Sequence, residues 1–201
     1  MISAAIHGFI LAFGLILPLG VQNVFVFNQG ALQPKWPKAL PVVITAALCD
    51  TLLISLAVLG ISAVVLEISF LKIALSVIGI AFLLYMGYVT WKSKPSTEEN
   101  NVQLFSARKQ ITFAASVSLL NPHAIMDTIG VIGTSSLTYT GIEKAIFTIV
   151  CIFVSWLWFF GLSIVGRLVG KLDHSGKFII TLNKISTVIM WGTAVYLLLS
   201  L

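Results

Sequence analysis

Two acidic side chains lie deep inside apolar stretches of the sequence. Asp127 is the only formally charged residue between positions 111 and 139. Asp50 follows Lys38 by twelve residues, which is roughly 18 Å along a helix at about 1.5 Å per residue. Ionised groups in hydrocarbon cost at least about 2.5 kcal/mol, so they face the protein interior and usually mark a substrate or ion path. The alternative, a structural pair with a buried Lys, Arg or backbone amide, is less favoured because no Lys or Arg lies in the middle of an apolar stretch.

Prolines precede two of the polar side chains at the same spacing. Pro122 lies five residues before Asp127, and Pro18 lies five residues before Asn23. A proline inside a helix removes one backbone hydrogen bond, and in lipid the freed carbonyl must line a cavity or meet another helix. The ends of a broken helix can bind a carboxylate or a cation. The pattern therefore predicts two broken helices, with ordinary proline kinks as the alternative.

The composition is that of an integral membrane protein. Apolar residues make up 58% of the chain and charged residues 9%, whereas soluble domains have about 25% charged residues. We expect residues 1–201 to form a single transmembrane domain. The first apolar stretch has no Lys or Arg before it, so we interpret it as a permanent span rather than a cleaved signal peptide. Cys49 and Cys151 each lie in an apolar stretch and are interpreted as buried small hydrophobes.

Six apolar stretches are long enough to cross a bilayer as helices, since a span needs about 20 residues. Uninterrupted stretches of this length are not barrel strands. The fold class is therefore predicted to be all-α, a polytopic membrane protein of six transmembrane helices. The predicted spans are at about residues 3–27, 39–66, 70–91, 110–137, 143–166 and 178–201.

Charge distribution predicts the orientation of these spans. The polar segment at residues 93–109 lies between the third and fourth spans. The loops after the first, third and fifth spans, taken with their flanking turns, carry ten of the twelve Lys and Arg residues. Basic residues are retained in the cytoplasm, so residues 93–109 should be a cytoplasmic linker, with both termini outside the cell. The net charge of +5 then needs no nucleic-acid partner.

The two halves of the chain, at about residues 1–92 and 110–201, are similar in outline. Pro18 and Asn23 in the first span correspond to Pro122 and Asp127 in the fourth. The third and sixth spans share a Lys-Ile pair followed by Gly-x-Ala. Because each half has three spans, a duplicated half must insert upside down. The sequence thus predicts two inverted three-helix repeats with broken first and fourth helices, as in many secondary transporters.

The segments "LPLGVQNVFVFNQGAL", "ALCDTLLISLAVLG" and "LLNPHAIMDTIGVIG" resemble the landmarks of the LysE family, exporters of basic amino acids such as lysine and arginine. The resemblance implies a carrier in the cell membrane that exports an L-amino acid from the cytoplasm, driven by the membrane gradient. It implies these substrate-binding residues: Gln22, Asn23, Asp50, Asn121 and Asp127. The predicted helix-breaking residues are Pro18, Gly20 and Pro122. By counting from Lys38 and Lys144, the repeat counterpart of Asp50 is Trp156.

Two alternatives belong to other classes of protein. A metal-cation exporter could use Asp50, Asp127 and His123 with backbone carbonyls, although a packing or hydrogen-bonding role is favoured for His123. An intramembrane aspartyl protease could use two Asp residues sharing a proton, but the G-x-G-D element of that class is absent. We therefore expect no enzyme, no cofactor and no bound metal. A proton is the expected coupling ion, the lipid bilayer is the surrounding partner, and a homodimer is compatible with the sequence.

Overall fold

A computed structural model describes residues 1–17, 20–60, 73, 77, 80–81, 84–85, 87–88, 91–92, 105–120, 125, 128–172 and 177–199. Within these ranges the secondary structure is helical and contains no strand. The all-α prediction is therefore confirmed for this part of the chain. The arrangement of six spans as inverted repeats stays a prediction, since much of the third span lies outside the described residues.

The helices have well-defined bounds. We number the α-helices α1 to α6 in chain order: α1 is Ile2–Ile16, α2 is Val21–Leu32, α3 is Leu40–Val58, α4 is Ala107–Leu119, α5 is Gly141–Leu172 and α6 is Lys177–Leu199. A 3-10 helix, Trp36–Ala39, leads directly into α3. A π-helix, Thr128–Gly133, is followed by a helical turn at Thr134–Ser136.

Several helix ends follow from local sequence. Pro41 lies in the first turn of α3, where its missing N–H would have no helical partner. Gly60 follows α3 with φ of 75°, the left-handed conformation in which helices commonly end. Ser106 precedes α4, and its hydroxyl accepts a hydrogen bond from the Lys109 amide. These caps satisfy backbone groups that a helix end leaves open.

Among the described residues, two helices are long and apolar enough to cross a membrane: Trp36–Val58 and Gly141–Leu172. Helices α1 and α2 form a third candidate span if they are taken as one broken helix, since their axes differ by 79°. The break lies at residues 17–20, where the sequence predicts one. Gly20 is the N-cap of α2 and has an extended conformation, whereas Pro18 lies outside the described residues.

Helix α5 is the centre of the described packing and contacts α1, α2 and α3. One hydrophobic cluster joins α2, α3, α4 and α5 and includes the buried rings of Phe113 and Phe159. A second cluster joins α1, α3, the π-helix and α5 and includes Ile54 and Phe147. These two clusters fix the rotation of α5 relative to the helices that carry the predicted site.

Glycines allow α2 and α5 to approach each other closely. A Cβ atom added at Gly166 would lie 2.2 Å from the Phe27 carbonyl oxygen. One added at Gly30 would lie 2.2 Å from the Ser163 carbonyl oxygen. Small residues at helix contacts let backbones approach where a larger side chain would clash. The two glycines therefore set the distance between α2 and α5.

The C-terminal end of α2 is tied to α5 by an arginine. The Arg167 guanidinium donates hydrogen bonds of 2.6 Å to the Gln33 carbonyl and 2.7 Å to the Pro34 carbonyl. The last carbonyls of a helix have no partner within it, and a cation is favourable at that end of the helix dipole. Arg167 thus caps α2 and holds its C-terminal end against α5.

Candidate functional site

Asp50 lies where three helices meet. Asp50 is on α3 and is partly buried. The Ser155 hydroxyl of α5 donates a 2.9 Å hydrogen bond to Oδ2, and the Gln22 Nε2 of α2 donates a 3.4 Å hydrogen bond to Oδ1. Gln22 and Ser155 are 28 and 105 residues away from Asp50 in sequence. Each carboxylate oxygen therefore faces a different helix.

Both of these donors are neutral. Within the described ranges, the amino group of Met1 forms an ion pair with Glu143. No Lys, Arg or His in these ranges forms an ion pair with Asp50. Hydrogen bonds orient a carboxylate and partly replace its hydration, but they leave its net charge in place. An ionised Asp50 therefore has no cationic partner among the described residues.

The first turn of α2 reaches this carboxylate through the Gln22 side chain. Gly20 gives that end no side-chain cap, and the first amides of a helix have no acceptor within the helix. Gln22 is the second residue of α2, so the carboxylate is within reach of a side chain from the first helical turn. The amides and the positive end of the helix dipole form the usual surroundings for an anionic group.

Asn23 bridges the break between α1 and α2. Its Nδ2 donates a 2.7 Å hydrogen bond to the carbonyl of Ile16, the last residue of α1. Its Oδ1 accepts a 3.2 Å hydrogen bond from Trp158 Nε1 on α5. The side chain is 5% exposed. Asn23 therefore satisfies a carbonyl at the end of α1 and joins both sides of the break to α5.

Trp156 also contacts α3, one residue beyond the acid. Its Nε1 donates a 3.0 Å hydrogen bond to Thr51 Oγ1, and the Thr51 hydroxyl donates to the Ala47 carbonyl. The correspondence of Trp156 with Asp50 across the two halves of the chain stays a prediction. The side chain of the preceding residue, Ser155, meets Asp50.

Three of the five predicted substrate-binding residues are described, and they lie together. Gln22 contacts Asp50 directly, and Asn23 is the next residue of α2. The other two, Asn121 and Asp127, lie outside the described residues, as do Pro122 and His123. The π-helix Thr128–Gly133 begins directly after Asp127 and packs on α3.

Ser155 and Trp158 were missed by the sequence analysis. Both are on α5, three residues apart, so they lie on neighbouring positions of one helix face. The available signal was a hydroxyl and an indole N–H at this spacing inside an apolar span, "VSWLW". Such residues are common in membrane helices, and only the fold shows which acceptors they meet.

No group of three potential metal ligands of the His, Cys, Asp and Glu types occurs where the structure describes the chain. Asp50 is accompanied there by hydroxyl and amide groups. The metal-exporter alternative depends on Asp127 and His123, which lie outside that part of the chain.

Comparison with known proteins agrees with the resemblance noted in the sequence. The profile of the family described as "LysE type translocator" matches residues 13–201. The chain is 56% identical to a Bacillus subtilis protein named "Putative amino-acid transporter YisU", covering 99% of this chain and 90% of that protein. It is 34% identical to the arginine exporter protein ArgO of Salmonella typhimurium, covering 95% and 91%.

A third relative is the arginine exporter protein ArgO of Pectobacterium carotovorum, which is 32% identical and is covered over 97% of its length. No solved structure matches the chain. The family profile matches nearly the whole chain, and the relatives are similar over almost their entire lengths. The chain therefore belongs to the family of LysE-type translocators.

Proposed function

We propose that the protein exports an L-amino acid with a cationic side chain, arginine or lysine, from the cytoplasm. The observation that carries this proposal is the carboxylate of Asp50, which lies inside a span and receives hydrogen bonds from neutral donors. Placing a charge at such a position is costly unless a partner of opposite charge meets it. A transported cation is that partner.

An amino acid also presents an α-carboxylate and an α-amino group. The first turn of α2 has no side-chain cap from Gly20 and reaches Asp50 through the Gln22 side chain, and its backbone amides are proposed to bind the α-carboxylate. Half-helix N-termini serve anionic substrate groups in this way in other secondary transporters. Asn121 and Asp127 are proposed to complete the site from the second half of the chain.

The relatives support the same conclusion. One is named for amino-acid transport and two are named as arginine exporters. In this proposal the protein is a carrier that catalyses no chemical reaction. It works in the cell membrane with both termini outside the cell. Export against a concentration gradient requires an energy source, and we propose that proton movement supplies it.

Four compounds separate the parts of this proposal. Arginine and citrulline have nearly the same shape but differ in side-chain charge. Hydrogen bonds to charged groups contribute about 1.5–3 kcal/mol, which corresponds to a preference of about ten- to a hundredfold for arginine. Lysine should also be exported, less tightly, because its ammonium cannot form the two-pronged contact of a guanidinium. Agmatine lacks the α-carboxylate and should be rejected.

The experiment measures efflux of the four compounds from proteoliposomes loaded at matched internal concentrations. Asp50→Asn and Asp127→Asn should lose the preference for arginine while inserting normally. Glu143→Gln is the matched control, because Glu143 is an acid at the start of α5 that pairs with the amino terminus. Equal efflux of arginine and citrulline by the wild type would refute the role of charge. Equal efflux of arginine and agmatine would refute the amino-acid site and favour a simple cation path.

A further inference from the structure

We propose that Ser155 is a positioning residue of the transport site, which fixes the carboxylate of Asp50 so that Oδ1 faces the substrate. This inference rests on the proposed function. It assigns to α5 a direct part in selectivity, although the sequence motifs of the site lie elsewhere in the chain.

The two hydrogen bonds to Asp50 differ in quality. The bond from Ser155 is 2.9 Å long, close to the usual O–H···O distance of about 2.7–2.8 Å. The bond from Gln22 is 3.4 Å long, well beyond the usual N–H···O distance of about 2.9–3.0 Å. Oδ2 is therefore firmly held by α5, whereas the contact at Oδ1 is weak enough for a substrate cation to replace.

Ser155 is itself fixed in place. Its residue is 3% exposed, and its neighbour Trp156 is bonded to Thr51 on the same helix as Asp50. On the other side, Trp158 is bonded to Asn23 on α2. Three side chains within four residues of α5 thus make hydrogen bonds to the two helices that carry the described site residues. A hydroxyl held this rigidly can select one rotamer of the carboxylate opposite it.

Removing the hydroxyl should change selectivity more than stability. In Ser155→Ala the carboxylate keeps its charge but can rotate, so a cationic side chain meets it in the correct orientation for less of the time. We expect arginine efflux at low internal concentration to fall about tenfold, which corresponds to the weaker end of charged hydrogen bonds at about 1.5 kcal/mol. Citrulline efflux should fall less than arginine efflux, because citrulline forms no ion pair whose orientation could be lost.

A matched control is present on the same helix. Ser163 is eight residues further along α5 and is fully buried, and Ser163→Ala should leave the ratio of arginine to citrulline efflux unchanged. Ser155→Thr retains a hydroxyl and should restore most of the preference for arginine. If the added methyl group prevents insertion of that variant, Ser155→Cys, which retains a weak donor, should give an intermediate preference.

The decisive measurement is a double-mutant cycle. Efflux of arginine and citrulline is compared among the wild type, Ser155→Ala, Asp50→Asn and the double variant, at equal membrane abundance. If Ser155 acts through the charge of Asp50, Ser155→Ala should change the ratio of arginine to citrulline efflux by less than about threefold in the Asp50→Asn background. Full additivity, an equal loss of both compounds, or an unchanged ratio in Ser155→Ala would overturn the inference. Failure of the proposed function would instead appear in the wild type or in Asp50→Asn alone, and it would overturn the inference as well.

Discussion

Gly166→Ala should separate α2 from α5 and reduce transport, although Gly166 is not itself one of the proposed site residues. The added Cβ would lie 2.2 Å from the Phe27 carbonyl oxygen, whereas ordinary contact begins at 3.4 Å, so relief requires about 1.2 Å of movement. The opposing atom is backbone, and it cannot swing aside as the end of a side chain could. The two helices must therefore move relative to each other.

The movement needed is large compared with the hydrogen bonds between the same helices. The bond from Trp158 to Asn23 is 3.2 Å long, and a further 1.2 Å would break it. Overpacking in a core typically costs about 1–3 kcal/mol. For a chain of this length, each kcal/mol corresponds to about 2–4 °C in Tm. Gly166→Ala should therefore lower Tm by several degrees and reduce arginine efflux.

Thermal unfolding in detergent, followed by loss of monodisperse protein on gel filtration, measures the first effect, and efflux from proteoliposomes measures the second. Gly161→Ala is the control, because a Cβ at Gly161 on the same helix meets no atom within 4 Å. The general loss of glycine freedom is equal in the two variants. A Gly166→Ala protein with the Tm and efflux of Gly161→Ala would refute the close approach of the helices.

Two further predictions concern other parts of the fold. Arg167→Gln should destabilise the protein by about 1.5–3 kcal/mol per lost charged hydrogen bond at most, measured by the same unfolding assay; Arg167→Lys should be intermediate, and wild-type stability in both would contradict the capping role. Single cysteines at Ser96 and Ser175, in a variant lacking native cysteines, should be shielded from an impermeant thiol reagent in intact cells, whereas labelling of both from outside would reverse the predicted orientation.

The helices and part of the site could be predicted because they depend on local sequence. A stretch such as residues 143–166 is apolar for longer than a bilayer is thick, which leaves a helix as the structure that satisfies its backbone. The helix observed there, Gly141–Leu172, extends beyond both predicted ends. The break near Gly20 was likewise predicted from one proline and the polar residues after it. Gln22 and Asp50 were assigned to one site because of the family resemblance, since their spacing in the sequence does not predict that they meet.

The contribution of α5 could not be predicted, because it depends on how one helix is rotated against its neighbours. Ser155 meets Asp50 only because the clusters around Phe147 and Phe159 fix that rotation. A turn of about 100° per residue separates Ser155 from Trp156, so the two side chains meet different residues of α3. The role of Asn23 also depended on folding, since its acceptor, the Ile16 carbonyl, is exposed by the break itself.

Selectivity for a cation follows because a neutral analogue would leave the Asp50 carboxylate without a positively charged partner. In the proposed transport path, water would solvate the charge of the partly buried Asp50 while no substrate is bound. Citrulline would exclude that water without supplying a positive charge, so the carboxylate would keep only the hydrogen bonds from Ser155 and Gln22. An unpaired buried charge is more costly than the loss of one attractive contact. The free-energy penalty for binding citrulline should therefore exceed the free energy that arginine gains from its contact with Asp50. In Asp50→Asn this penalty disappears, because the same two groups face a neutral amide. Citrulline efflux should therefore rise in that variant while arginine efflux falls, a change in opposite directions that a general loss of folding or insertion cannot produce.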